Sequence, residues 1–205
     1  TYASNLYQLD QGEFGARWIT SFTTRIVPQS EYVEETEENG GYFNKLDGLE
    51  FIGDDGRPIK LPKLKVGESF HNITEDFYYS VISDKVQMIS YHKEQKHLFE
   101  KYKDGYHLST IEYKNGITIA VRYDHQFEDQ SFISDIIIKE KTKQLIHVAF
   151  QVNASGRIED AWLVENGQLT RPLASYNYND KGDLIEAITE NGASYHYQYD
   201  HHLMT

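Results

Sequence analysis

The chain has 205 residues, and 20 Lys and Arg residues against 32 Asp and Glu residues give it a formal net charge of −12. An acidic surface repels nucleic-acid phosphates and anionic membranes, so neither is expected as the main partner. The sequence contains no cysteine, which excludes disulfide bonds and thiolate metal sites. It lacks an apolar run long enough for a membrane-spanning helix, and its first residues do not have the pattern of a signal peptide. Because the chain does not begin with Met, we expect it to be a piece of a longer polypeptide.

The composition favours β-structure, since 16 Tyr and 10 Phe residues accompany only 2 Met and 4 Pro residues. Residues 31–41 are rich in Glu and end in Asn-Gly-Gly, which predicts a solvated acidic hairpin tip. The stretch from Asp84 to Lys103 fits no helical stripe. It predicts two strands with a polar turn near residues 93–96. From residue 117 onward apolar residues alternate with polar ones, as in residues 117–123, 146–152 and 195–199, which indicates strands with one covered face.

Gly-containing turn signals separate these alternating runs along the chain. Asn-Gly and Asp-Gly tolerate the positive φ angles that tight hairpins require. The segment SFISDIIIKEKTKQ, between two of the signals, predicts an additional hairpin. The turn signals are Asp54-Asp55-Gly56, Lys103-Asp104-Gly105, Lys114-Asn115-Gly116, Ser155-Gly156, Glu165-Asn166-Gly167, Lys181-Gly182 and Glu190-Asn191-Gly192.

The sequence also repeats itself. Leu108, Asn115-Gly116 and Tyr123-Asp124 align with Leu184, Asn191-Gly192 and Tyr199-Asp200 at a constant offset of 76 residues. A further copy lies 26 residues before the last one, where the residues from Phe150 to Ile158 align with those from Tyr176 to Leu184. A single hairpin cannot bury its apolar face, so the copies are expected to join into one long sheet. In this sheet the Tyr hydroxyl would reach a backbone group at the strand end, and the following Asp would accept backbone N–H bonds.

These motifs resemble the YD repeats of Rhs (rearrangement hotspot) proteins. The resemblance is carried by YNYNDKGDLIEAITENGASYHYQYDHHLMT and by LFEKYKDGYHLSTIEYKNGITIAVRYD. Upstream, TYASN, FGARWITSF and LEFIGDDGRPIKLPKLKVGESF are similar to the region that opens Rhs shells. The chain departs from the pattern where FQVN and YNYN replace a Tyr-Asp pair, where no Gly follows Tyr199-Asp200, and at the SFISDIIIKEKTKQ insertion.

The resemblance implies an all-β fold of antiparallel hairpins that form part of a spiralling shell, with residues 1–70 as its opening region and residues 71–205 as repeats. Its function would be to encapsulate a C-terminal toxin for delivery, often by a type VI secretion system in bacterial competition. The implied partners are the rest of the shell, the toxin, a secretion spike or adaptor and an immunity protein. The protein would be made in the bacterial cytoplasm and secreted by a dedicated machine. The family's self-cleavage motif contains Asp-Pro, which this sequence lacks, so cleavage is expected elsewhere in the full protein.

On this interpretation the important residues are structural, and no catalytic residue, metal ligand or cofactor is predicted. Tyr123, Asp124, Tyr199 and Asp200 would lie at strand ends. The predicted turn residues are Gly105, Gly116, Gly156, Gly182 and Gly192.

Other chemistries have weaker support. HYQYDHH is dense in His, but His201 and His202 would point to opposite sides of an extended strand, which disfavours a metal site. Carboxylate pairs such as Glu159 with Asp160 are too numerous to indicate a glycosidase. The alternative function is a carbohydrate- or protein-binding surface built from exposed aromatic residues, although their alternation favours a covered sheet face. The candidates are Trp18, Trp162, Tyr176, Tyr178, Tyr195 and Tyr197.

Overall fold

The computed structural model describes residue 2, residues 12–28 and residues 48–205, together with the backbone of residues 31–32 and 44–45. All regular structure in these residues is β-strand, so the predicted all-β class is confirmed. The described residues include no helix long and apolar enough to cross a membrane. The predicted acidic hairpin tip at residues 31–41 lies outside the described residues, apart from the short strand at its start.

The strands are, in chain order, β1 (Arg25–Pro28), β2 (Glu31–Tyr32), β3 (Asn44–Lys45), β4 (Leu49–Ile52), β5 (Pro58–Leu61), β6 (Ser69–Asn72), β7 (Phe77–Ile82), β8 (Lys85–Ser90), β9 (Gln95–Tyr102), β10 (Gly105–Tyr113), β11 (Ile117–Arg122), β12 (His125–Phe127), β13 (Gln130–Phe132), β14 (Asp135–Glu140), β15 (Lys143–Val152), β16 (Ile158–Glu165), β17 (Gln168–Tyr178), β18 (Leu184–Thr189), β19 (Ser194–His196), β20 (Tyr199–Asp200) and β21 (Leu203–Met204).

One antiparallel sheet of 15 strands dominates the molecule. From β6 to β11 and from β14 to β19 its strands follow chain order, so that each is hydrogen-bonded to its neighbour in the sequence. The small β12–β13 hairpin lies outside this sheet, between β11 and β14. Each Gly-containing turn signal lies between two paired strands, where positive φ angles allow a tight reversal.

Two hairpins predicted from the sequence, at residues 84–103 and in the SFISDIIIKEKTKQ segment, are present in the sheet. The strands expected between residues 84 and 103 are β8 and β9, but their turn covers residues 91–94, and Lys96 already belongs to β9. The SFISDIIIKEKTKQ segment supplies β14 and the beginning of β15, which form a hairpin.

The sheet branches at β10. The later part of β10 pairs with β11, whereas its beginning pairs with β1 through Ile26 and Tyr106. Strands β4 and β5 then extend from β1. The register of β10 against β9 shifts at Ser109, whose hydroxyl donates to the Leu98 carbonyl at 3.2 Å. Such a bulge increases the local twist, which is consistent with two different neighbours along one side of β10.

The main core lies between the central strands and the chain that precedes β6. Tyr79, Phe99 and Leu108 are fully buried in the sheet, and Phe51 of β4 packs against them. The Phe51 ring centroid lies 6.0 Å from that of Phe99, in an edge-to-face arrangement. His97 lies between Met88 and Ile111 in the strand register, and burial lowers the pKa of its ring to about 4. The imidazole is therefore neutral at physiological pH.

The expectation of one uniformly covered face is wrong at two places. Tyr195 is 55% exposed and Ile146 is 43% exposed. Tyr195 belongs to β19, the end strand of the sheet, and all three residues of this strand are exposed. Strict alternation places a side chain on a face, but another layer has to cover that face before the side chain is buried.

Candidate functional site

The repeat tyrosines connect the sheet to the N-terminal segment. The Tyr123 hydroxyl donates to the Phe22 carbonyl at 3.2 Å, and the Trp18 indole N–H donates to the Tyr199 hydroxyl at 2.9 Å. Tyr123 is buried, and burial raises the pKa of its hydroxyl well above the ordinary value. Two tyrosines at equivalent repeat positions thus bond to the same stretch of chain, residues 18–22.

Among the described residues, no backbone N–H group donates to the carboxylates of the repeat aspartates, contrary to expectation. The Asp124 carboxylate accepts from the Ser134 hydroxyl at 3.3 Å, and the Asp200 carboxylate lies 2.7 Å from His201 Nδ1. Asn side chains make the expected turn bonds instead. Asn115 Oδ1 accepts from the Ile117 N–H, and Asn191 Oδ1 accepts from the Ala193 N–H, each at 3.1 Å.

The two degenerate copies share one turn geometry. Asn153 Oδ1 accepts from the N–H groups of Ser155 and Arg157, at 2.9 and 3.0 Å. Asn179 Oδ1 accepts from the corresponding N–H groups, those of Lys181 and Asp183, at 3.0 and 2.9 Å. The residue before each Asn pairs with the equivalent strand residue, Val152 with Ile158 and Tyr178 with Leu184. The sequence repeat at 26 residues is therefore also a structural repeat.

All the predicted turn glycines have positive φ, but their surroundings differ. A Cβ atom on Gly105 would lie 2.6 Å from the Ile26 carbonyl oxygen, whereas a Cβ on Gly116 or Gly192 would extend into open space. A Cβ on Gly156 would overlap the Phe132 ring, and one on Gly182 would overlap the Arg157 guanidinium. Close packing therefore requires glycine at position 105, where the overlap is with backbone, whereas at positions 156 and 182 the Phe132 or Arg157 side chain would have to move.

The buried carboxylate of Asp183 connects the β20–β21 hairpin to the repeat turn before β18. Asp183 is 1% exposed, and its carboxylate accepts from Asn179 Nδ2 at 3.0 Å. His202 Nδ1 lies 2.5 Å from the other carboxylate oxygen. The prediction that His201 and His202 lie in an extended strand is wrong, because both have positive φ and form the turn between β20 and β21.

A polar pocket of about 320 Å³ lies where the N-terminal segment meets β1 and the start of β10. Glu13, Arg25, Asp104 and His107 line it with Tyr123. Glu13 Oε1 accepts from the Ile133 N–H at 2.9 Å, while Glu13 Oε2 is buried without a hydrogen-bond partner. Asp104 Oδ1 lies 2.9 Å from His107 Nε2.

The pKa values of the two carboxyl groups in the pocket, Glu13 and Asp104, are shifted in opposite directions. Burial raises the pKa of Glu13, outweighing the Ile133 N–H and the charges of His107 and Arg25, which lower it. Burial also opposes ionisation of Asp104, but the hydrogen bond and charge of His107 lower its pKa overall. The pocket therefore holds one carboxyl that favours its neutral form beside one that favours its charged form.

Stability should depend on pH through Glu13. Because the pKa of Glu13 is higher in the folded state than its ordinary value of 4.5, proton binding contributes fully to the free energy of unfolding at pH values below 4.5. This contribution is lost as the pH rises through the raised pKa. The urea midpoint of the parent should therefore fall relative to that of Glu13→Gln as the pH is raised from 4.5. The exposed Glu165→Gln variant is the control and should follow the parent. Parallel midpoints for the parent and Glu13→Gln would show that Glu13 ionises as freely as it does in the unfolded chain.

No sequence motif marks this pocket. Glu159 and Asp160, named as a possible carboxylate pair, are not among its lining residues. Glu13 carries no motif, and it is held at the pocket by long-range bonds, because its carbonyl accepts from the Ile158 N–H and its carboxylate from the Ile133 N–H. The one local signal was Asp104 and His107, which are three positions apart across the start of β10 and whose side chains lie 2.9 Å apart.

The aromatic candidates of the alternative hypothesis lie in different surroundings. Trp18, Tyr176 and Tyr197 line an apolar groove of about 580 Å³ between the N-terminal segment and β14–β18. The Tyr178 hydroxyl donates to the Ile158 carbonyl at 2.6 Å, and Trp162 has a buried indole nitrogen without a hydrogen-bond partner. Only Tyr195 among them is mainly exposed.

Within the described part of the chain, no group of three or more His, Asp or Glu side chains is placed to hold a metal ion. The sequence matches no family model and no curated protein. The class of the molecule therefore follows from its own fold, which is all-β and built on one large antiparallel sheet.

Proposed function

We propose that this chain is a wall segment of an Rhs-type shell, which encapsulates a C-terminal toxin domain until delivery. The observation that carries the proposal is the structural repeat at 26 residues. Asn153 and Asn179 make the same set of turn bonds, and each turn joins two long strands of one continuous sheet. Repeats that stack edge to edge build walls, because each copy needs its neighbours to bury its apolar face.

Two further features support this proposal. Tyr123 and Tyr199, the tyrosines of the Tyr-Asp motifs, both bond to residues 18–22. In the described residues, the main series of strands also ends in two edges, β6 and β19, to which further strands of a longer chain can be added. Exposed edges of this kind are normally covered in native proteins.

The proposed role is physical containment, without catalysis or a cofactor in this segment. Residues 1–70 would open the shell and residues 71–205 would continue it as repeats. The proposed partners are the remaining shell, the enclosed toxin, a secretion spike or adaptor, and an immunity protein. Export by a type VI secretion system is the proposed route for a protein made in the bacterial cytoplasm.

Imaging the natural polypeptide that contains these residues by electron microscopy tests the proposal. The expected result is a closed hollow wall that includes these 205 residues, with density inside. Limited proteolysis of the same sample should leave the internal domain intact until the wall is unfolded. A compact particle without a cavity, or a natural chain with no domain beyond this sheet, would overturn the shell proposal.

The second candidate is a binding module, favoured by the apolar groove that Trp18, Tyr176 and Tyr197 line. Aromatic side chains in such a groove supply contact area for a sugar or a protein segment. If the imaged particle is open with this groove facing solvent, binding becomes the better account. If the groove faces the interior of a closed wall, containment is supported.

A further inference from the structure

Within the described residues, the polar pocket contains two side chains, Glu13 and Arg25, that have hydrogen-bonding atoms without a partner. Glu13 Oε2 is buried without a partner. The Arg25 guanidinium lines the same pocket, and none of the ion pairs among the described residues includes it. Buried polar groups in native proteins are almost always paired, with protein or with something bound. The buried Glu13 Oε2 therefore indicates a missing partner, and the half-buried Arg25, which lines the same pocket, can contact the same ligand.

A carboxylate satisfies both groups at once. Arginine presents a planar fork that donates two parallel hydrogen bonds to a carboxylate. A neutral Glu13 donates a further O–H bond through its free oxygen, whereas an ionised Glu13 would repel the ligand. The Asp104 carboxylate in the same pocket opposes a compact, highly charged anion such as phosphate. It can instead accept hydrogen bonds from hydroxyl groups.

The size and walls of the pocket restrict the ligand further. A volume of about 320 Å³ corresponds to roughly ten water molecules, which is enough for one sugar ring with its substituents. Trp18, Ile52 and Phe132 supply apolar walls, and Ser131 adds a polar atom. We propose that the pocket binds a monosaccharide-sized hydroxy acid, of the hexuronate class, with its carboxylate between Arg25 and Glu13 and its hydroxyls toward Asp104.

Glucuronate is a suitable probe for the 205-residue chain. At pH 4.5, which lies below the raised pKa of Glu13, it should bind with a Kd of about 1 mM or tighter, as expected for a ligand of this size. Amide shifts in nuclear magnetic resonance spectra should change around Glu13, Arg25 and His107. Glucose lacks the carboxylate and acetate lacks the hydroxyls, so each should bind at least tenfold more weakly. No binding of glucuronate at 20-fold this Kd, or equal binding of glucose, would overturn the proposal.

Variants test the assigned role of Arg25. Arg25→Met keeps most of the side-chain stem and should weaken glucuronate binding at least tenfold. Arg171→Met is the matched control, because Arg171 is exposed and pairs with Glu190, and its affinity should equal that of the parent. If Arg25→Met does not fold, Arg25→Lys keeps the charge without the fork and should still lose threefold or more. Parent affinity in a folded Arg25 variant would contradict the assignment.

The pH dependence of glucuronate affinity distinguishes the role of Glu13 from that of Arg25. The groups that face Glu13 are Arg25 on β1, Asp104 and His107 at the start of β10, Tyr123 after β11 and Tyr178 on β17. Affinity for glucuronate should fall as the pH rises and Glu13 ionises, and Glu13→Gln should remove this decrease. The same fall in parent and Glu13→Gln would overturn the role of Glu13. None of these measurements requires a closed shell, so their failure and the failure of the shell proposal are distinguishable.

Discussion

Replacing Gly105 with Ala should lower the free energy of unfolding by about 4 kcal/mol. Gly105 has a φ of 142°, a backbone conformation that strongly disfavours side chains. A Cβ there would also lie 2.6 Å from the Ile26 carbonyl oxygen. This oxygen belongs to the backbone of β1, which pairs with β10 beside it, so relief of the contact requires the two strands to separate. Denaturant unfolding followed by circular dichroism measures the loss.

Gly116→Ala is the matched control for that variant. Gly116 also has a positive φ, of 87°, and also follows a hairpin turn, but no atom lies within 4 Å of the position a Cβ would take. Only the backbone strain remains, which costs about 1 kcal/mol. Equal losses for Gly105→Ala and Gly116→Ala would mean that β1 does not lie against the start of β10.

Asp183→Ala should destabilise the protein by about 3 kcal/mol, the second large effect. The carboxylate is buried and bonded to Asn179 and His202, so its removal takes this partner from Asn179 Nδ2 and from His202 Nδ1. It also releases the hairpin of β20 and β21 from the repeat turn before β18. The variant should therefore expose Trp18, which is bonded to Tyr199 of β20, and this can be followed by tryptophan fluorescence.

Two comparisons make the Asp183 result specific. Asp200→Ala removes a carboxylate whose side chain is 77% exposed, so stability should stay within about 0.5 kcal/mol of the parent. The double variant Asp183→Ala with His202→Ala should lose less than the sum of the single losses, because both changes remove the same contact. Strict additivity would show that His202 and Asp183 do not interact.

The sequence was informative about local structure because hairpin turns are local. Asn-Gly pairs and alternating apolar residues depend on the conformational preferences of a few neighbouring residues. They located the hairpin formed by β10 and β11 and the one formed by β18 and β19. The 26-residue repeat was visible because the Asn and Gly of each turn have a conformational role that other residues fill poorly.

Burial and the pocket were harder to predict because they depend on contacts between distant parts of the chain. Tyr195 has the alternation of a covered strand, yet it is exposed because β19 is an edge of the sheet. Glu13 and Arg25 carry no motif, and the pocket forms from the pairing of β1 with a strand far along the chain. Nor does the spacing of Asp104 and His107 reveal that a buried carboxyl lies near them.

The branch of the sheet at β10 also bears on how the protein folds. Most strands pair with their neighbours in the sequence, so their contacts close short loops at little cost in chain entropy. The pairing of Ile26 with Tyr106 instead closes a long loop, and such contacts form slowly. The successive hairpins are therefore expected to assemble first, with the N-terminal strands docking onto them afterwards. Glu13 and Arg25 come from the docking segment and Asp104 and His107 from the preformed sheet, so the polar pocket is completed only in the last step of folding.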